Sequence, residues 1–176
     1  DRAGVESALR GGDVAALLYE PVMTNTGMGL PQPGLHSALR DLSRRHGTLL
    51  IIDETHTLSS GVGGYTRTHG LEPDLLGRRK AIAGGVPCAV YGFTAEIEAR
   101  MRGVLADRHE EHGHTGMGTT LAANPLALAA LAAALAALHT PETYAPMLIG
   151  AADLDAKLRA LFARRRLDWQ VARVGA

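Results

Sequence analysis

Short, wholly apolar runs alternate along the chain with longer segments that carry apolar residues at helical spacing. VAALLYEP, residues 14–21, and TLLIID, residues 48–53, are runs of the first kind. Strands that read as unbroken apolar runs are covered on both faces, as in parallel sheets. Between them, residues 34–46 place Leu35, Leu39 and Leu42 on one helical face, with Gly47 set to cap the helix. A strand, a helix and a strand within about 40 residues predict a parallel crossover unit. A short amphipathic helix over residues 3–11 precedes it, stopped by Gly11 and Gly12. CAVYGF, residues 88–93, predicts a further strand, and a helix follows from Thr94 to near Asp107. The Ala-rich run from Leu126 to Leu138 predicts a packed helix, and another helix spans roughly 150–166 before a final strand in WQVARVGA. Pro141 and Pro146 are expected to break the chain between these two helices. They divide it into a unit of residues 1–140 and a unit of residues 141–176.

Ligands of parallel α/β sheets bind beyond the carboxyl ends of the strands. Glu20 and Asp53 stand at such ends, and the Gly-rich stretches NTGMGLPQPG and SSGVGGYTRTHG follow them. A carboxylate delivered from a buried strand is costly unless paired, so a cation should face Asp53. Gly63, Gly64, Gly84 and Gly85 fit tight turns and close backbone approach.

Composition narrows the function classes. The chain has 176 residues, 46% of them hydrophobic, with a formal net charge of zero. That balance argues against a nucleic-acid or membrane-surface partner, since both favour a basic excess. The run from Leu126 to Leu138 is shorter than the roughly 20 residues a bilayer-spanning helix needs. Cys88 is the sole cysteine, so no intrachain disulfide forms, and the expected location is the cytoplasm. The chain opens without Met and stops inside an apolar alternation, so it reads as a segment of a longer protein.

There are only two lysines. Lys157 lies on a helix where a solvated role is the default. Lys80, in RRKAIAGGVP, reads by charge alone as part of a solvated basic turn. Held among apolar residues and near Arg78 and Arg79, it would instead be an amine nucleophile. A strand-end Asp followed 27 residues later by a Lys in a Gly-flanked segment is what a pyridoxal phosphate site needs. The amine forms a Schiff base with the cofactor aldehyde, and the carboxylate keeps the ring nitrogen protonated. HEEHGH, residues 109–114, matches neither zinc-helix nor Cys/His zinc spacing and reads as a solvated loop. A metal-dependent hydrolase using His109, Glu110 and His112 is the competing reading. Cys88 reads as core, Tyr65 as a candidate substrate contact, and His69 as either a turn residue or a substrate contact.

The segments YEPVMTNTGM, PQPGLHSALRDLSRRHGTLLIIDETHT, GGYTRTHGLEPDLL, KAIAGGVPCAVYG and GTTLAANPLALAA extend this reading. In that order and spacing they resemble the class III aminotransferases, in the branch of glutamate-1-semialdehyde 2,1-aminomutase. The resemblance implies an α/β fold. It would be a partial three-layer fold type I pyridoxal-phosphate-dependent transferase with a mostly parallel sheet, plus the start of a C-terminal small domain. It implies that Asp53 pairs with the pyridine nitrogen, Thr55 packs on the ring and His56 lies near the ring's phenolic oxygen. Lys80 would be the Schiff-base lysine and proton shuttle. Thr120 would reach the cofactor phosphate of a neighbouring subunit, making a homodimer with shared sites. Glu20 would lie near the cofactor, and Asn25 matches an Asn of the aminomutase branch. Small-molecule amino or oxo substrates follow, with no metal. Two departures stand out. Gly77, Arg78 and Arg79 interrupt the usual apolar stretch before the lysine, with Arg79 where the family has Gly. Ala122 and Ala123 replace the usual Ser-Gly. A non-catalytic remnant of the same fold is the alternative.

Overall fold

Three short strands lie parallel, and a fourth runs against them. β1 (Ala16–Tyr19), β2 (Leu49–Asp53), β3 (Leu75–Arg78) and β4 (Val90–Phe93) form one sheet in the order β1-β2-β3-β4. β4 pairs antiparallel with β3. This is a computed structural model, and it describes residues 1–112, 118 and 120–176, with side chains omitted for 108–112. The helices are α1 (Arg2–Leu9), α2 (Leu35–Arg45), α3 (Gly64–Thr68), α4 (Ala95–His112), α5 (Pro125–Ala137) and α6 (Pro141–Arg165). Two 3₁₀ turns, Thr57–Ser60 and Lys80–Ala83, follow β2 and β3.

The crossover unit β1–α2–β2 forms as its pattern predicts. Leu50 and Ile52 of β2 are buried on the side of Leu39 and Leu42 of α2. Asp74 ties the next strand in: its carboxylate accepts from the Leu50 amide at 2.7 Å and from Arg40 of α2 at 2.9 Å. Successive residues of a strand face opposite sides. In the observed register Leu18, Ile51, Leu75 and Phe93 therefore share a row on the other face, with Asp53, Gly77 and Tyr91 in the next row. Leu18 is 64% exposed and Tyr91 59%, so this second face is largely open. A second core joins Leu58, Ile82 and Ala83, with Cys88, Ala130 and Leu131 packed on it. Through these contacts α5 sits on the 3₁₀ turn that begins with Lys80.

Two expectations are corrected. Pro146 does not separate two helices but lies inside α6, which begins at Pro141. Pro141 fits the first helical position, where its missing N–H would be unbonded anyway. Pro146 removes one further bond, to the carbonyl of Glu142, and Glu142 is exposed to water. Residues 167–176 form no strand. They run past α6, where Arg159 donates to the Val171 carbonyl at 2.6 Å, rather than along either sheet edge. Gly77, Arg78 and Arg79, which interrupt the apolar stretch before Lys80, still run as extended backbone. β3 forms through Arg78, and Arg79 stays extended at φ −154°.

The loop after β2 is held by Glu54, which has no exposed surface. Its carboxylate accepts from the backbone amides of Tyr65 at 2.8 Å and Thr66 at 2.9 Å, at the start of α3. Arg78 lies 3.6 Å from the same carboxylate and donates to the Gly63 carbonyl at 2.5 Å. Gly64 sits at φ +78°, and a Cβ there would overlap the Glu54 carboxylate. Beyond α3, four rings pack beside α2. Tyr19 meets His36 Nδ1 at 3.2 Å, His36 packs edge-on against Tyr65, and Tyr65 stacks on His69 at 3.8 Å. Burial pushes the Tyr19 hydroxyl up to about 12, and burial followed by the nearby His69 lowers His36 below the usual histidine value.

Two outcomes are expected. Glu54→Ala strands Arg78 and two amides, and should lower stability by about 3–5 kcal/mol in denaturant unfolding; a loss near zero would contradict the latch. His36 is depressed in the folded state, so its neutral form supports the fold at and above its unfolded value of about 6.5. That support should be lost as pH falls through the lower folded value. The stability gap between parent and His36→Gln should therefore shrink on acidification, measured by denaturant titrations across that window.

Candidate active site

Asp53 ends β2 with its side chain on the open face of the sheet. Its Oδ1 accepts from the Thr55 amide at 2.8 Å and from the Thr55 hydroxyl at 2.5 Å. This is a local turn that an Asp makes with the backbone two residues on. Arg79 Nε donates to the same Thr55 hydroxyl oxygen at 2.8 Å. Arg79, Thr55 and Asp53 thus form a hydrogen-bonded chain, in which Oδ2 takes no described part. Asp53, Thr55 and Arg79 line a cleft of about 260 Å³ with Leu18, Ile51 and Tyr91.

Lys80 is exposed and begins the 3₁₀ turn after β3. Its φ is +55°, a left-handed conformation that costs a non-glycine residue roughly 1–2 kcal/mol. Backbone held in such a state is a signature of sites where geometry matters more than ease. Lys80 lines a second cleft of about 510 Å³ with Arg79, Gly85, Val86 and Cys88. The two clefts meet at Arg79 and Ala89. His56 lies between Thr24 and Lys80: its Nδ1 contacts the Thr24 hydroxyl and its Nε2 contacts Lys80 Nζ.

The structure therefore brings Asp53, Thr55, His56 and Lys80 together. Glu20 and Asn25 are exposed after β1, and Thr120 is exposed in the turn before α5. None of the described hydrogen bonds joins these three to Asp53 or Lys80. Tyr65 is buried, its ring held by His36 and His69, and it lines neither cleft. A separate cavity of about 450 Å³ opens on that side, beside Tyr19, His36 and Arg40. Gly63, Gly64, Gly84 and Gly85 all take positive φ, as tight turns require. The side chains of HEEHGH, including His109, Glu110 and His112, fall outside the described residues. Among the described residues no group of three or more His, Cys, Asp or Glu could hold a metal ion.

Arg78 and Arg79 would favour an amine nucleophile at Lys80 only if held beside it. Each is drawn elsewhere, Arg78 to Glu54 and Arg79 to Thr55. Glu54, Arg78 and Thr24 were not singled out as site residues. The alternation of a strand end held the signal for the first two. If Asp53 faces one side, Glu54 faces the other, toward the core, and needs a cation there. Thr24 carries no local signal, since its partner is 32 residues away.

The sequence profile described as Aminotransferase class-III matches residues 4–175. A glutamate-1-semialdehyde 2,1-aminomutase of Roseiflexus castenholzii is 40% identical over 93% of this chain and 39% of its own length. One of Sorangium cellulosum is 40% identical over 91% of this chain and 35% of its own. Among solved structures, a glutamate-1-semialdehyde-aminomutase of Pseudomonas aeruginosa, in complex with PMP, is 48% identical with a TM-score of 0.92. It covers the whole of this chain, which spans 39% of that protein. An omega-transaminase of Sphaerobacter thermophilus superposes with a TM-score of 0.85 at 27% identity, over all of this chain and 39% of its own. The chain thus spans about two fifths of the length of these relatives. Its sheet is part of an α/β fold type I transferase fold, and no single described helix is long and apolar enough to cross a membrane. The chain belongs to the class III aminotransferase family.

Proposed function

We propose that the protein is an enzyme that moves an amino group with pyridoxal 5'-phosphate, within one substrate as an aminomutase or between two as an aminotransferase. The observation that carries this is the placing of a carboxylate and an amine, Asp53 and Lys80, on adjoining clefts at the ends of parallel strands. The residues fit the ring end of the cofactor. Asp53 has one oxygen fixed by Thr55 and the other outside the described hydrogen bonds, which suits a protonated pyridine nitrogen. The Lys80 amine is exposed, which suits a bond to the aldehyde carbon. When bound, the cofactor supplies an electron sink that makes the substrate α-carbon acidic.

The chain's own residues do the rest. Asp53 holds the proton on the ring nitrogen, and Thr55 fixes the carboxylate while packing beside the ring. Lys80 anchors the cofactor and, once free, carries the proton to and from the α-carbon. Glu20 and Asn25 serve the cofactor and substrate sides respectively, and Thr120 serves the phosphate bound by a second copy in a cytoplasmic homodimer. Residues 1–140 belong to the cofactor-binding domain and residues 141–176 begin the small domain. The aminomutase names borne by relatives 36–40% identical, and Asn25, favour the intramolecular reaction. The assembled Asp53–Lys80 pair disfavours the non-catalytic alternative.

Pyridoxal phosphate added to the full-length protein should give visible absorption, and borohydride should fix the label on Lys80. Lys80→Ala should abolish both; a label that persists on another residue sinks the assignment. Asp53→Asn loses a charge-assisted bond of about 1.5–3 kcal/mol, so cofactor affinity should fall roughly tenfold or more in a fluorescence titration.

A further inference from the structure

We propose that Thr24, His56 and Lys80 form a proton relay in which His56 takes the proton that the lysine must lose before its nitrogen can attack a carbonyl. This deepens the reading of Lys80 as the covalent-bond-forming amine and rests on it. An ammonium has no lone pair, so attack needs an acceptor within reach of Nζ. The described acceptor is His56 Nε2, in direct contact with Nζ. The other ring nitrogen, Nδ1, contacts the Thr24 hydroxyl. With Nδ1–H donating to the Thr24 oxygen, the tautomer is fixed and the Nε2 lone pair is left for the lysine.

Each proton is accounted for. The N–H bond of the ammonium breaks, an N–H bond forms at Nε2, and the electron pair stays on Nζ as the nucleophile. The imidazolium keeps its Nδ1–H bond to Thr24, and its Nε2 proton returns to the lysine or passes to water. The neighbouring cations do not compete with Nζ for the imidazole, because Arg78 is bound to Glu54 and Gly63, and Arg79 to Thr55.

The support under Thr24 is built for position. Pro21 and Val22 are buried just before it. Met23 and Gly29 exchange two backbone hydrogen bonds, at 3.1 and 2.9 Å, which close the loop around Thr24. Positive φ at Gly27 and Met28 makes that closure possible. Thr24 is a positioning residue: it acts on the lysine only through the imidazole.

The relay is tested on the full-length protein without cofactor, by reductive methylation with formaldehyde and cyanoborohydride at neutral pH. Site-resolved mass spectrometry compares Lys80 with Lys157, which is ion-paired to Asp153 and serves as the internal standard. Lys80 should react faster than Lys157. His56→Gln keeps a hydrogen-bonding side chain that cannot hold the proton, and should slow Lys80 by about a hundredfold, the lower range for a positioned base, with Lys157 unchanged. Thr24→Val should also slow Lys80, and Thr24→Ser should restore it. Should His56→Gln fail to fold in a thermal melt, the Thr24 pair decides alone. A Lys80 rate unchanged by His56→Gln, or a serine variant as slow as the valine one, overturns the relay. Because no cofactor is present, failure here leaves the pyridoxal phosphate reading standing, and a missing cofactor absorption leaves the relay standing.

Discussion

The loop geometry around the site depends on one buried carboxylate. Glu54 has no contact with solvent, and an ionised group there is tolerated only with partners in place. Those partners come from two stretches of chain: the amides that begin α3, and the guanidinium at the end of β3, which also donates to the Gly63 carbonyl just before α3. One side chain therefore fixes the loop after β2 to the end of β3. Lys80 begins two residues beyond Arg78, so its place in space follows from a contact it does not make. The amide pair at α3 adds the favourable end of a helix dipole, although α3 is short and most of the benefit is the hydrogen bonds themselves.

The two faces of the sheet use the same device in opposite senses. Consecutive acidic residues at the end of β2 meet consecutive arginines at the end of β3. Asp53 joins Arg79 through Thr55 on the open face, and Glu54 joins Arg78 on the covered face. Arg79 thereby gains a partner instead of facing the lysine. The Thr55 hydroxyl is used twice, as donor to Asp53 and acceptor from Arg79. A valine at that position could do neither. The serine-glycine departure is different. Ala123 takes φ +58°, a conformation that glycine would adopt without steric cost.

Much of this was legible in the chain because parallel strands leave a plain mark. β1, α2 and β2 could be read from four or five apolar residues and one helical stripe, and the proposed chemistry rests on Asp53 and Lys80 in a Gly-flanked setting. β3 was harder, since Gly77 and Arg78 interrupt its apolar character. It forms because Arg78 has a buried carboxylate to meet, a contact between positions 24 residues apart. Pro146 misled because a proline near a helix start costs little where water can reach the freed carbonyl. WQVARVGA misled because alternation shows what a strand would bury, not whether an edge is there to pair with. Thr24 and Tyr65 were opaque for a shared reason: their partners are set by tertiary packing. One was drawn onto the site and the other away from it.

The crowding between Gly64 and Glu54 restricts the order in which this region can change over generations. Any side chain at position 64 meets the carboxylate first and the left-handed backbone second. Shortening Glu54 would clear the space but leave two amides without a partner and Arg78 without its counter-charge, while the backbone penalty at Gly64 would remain. Neither single step is passable alone, and taking both still leaves a cost. The pair is therefore a local ratchet. Variation can accumulate around it, at exposed positions such as Arg67, while these two residues hold each other in place.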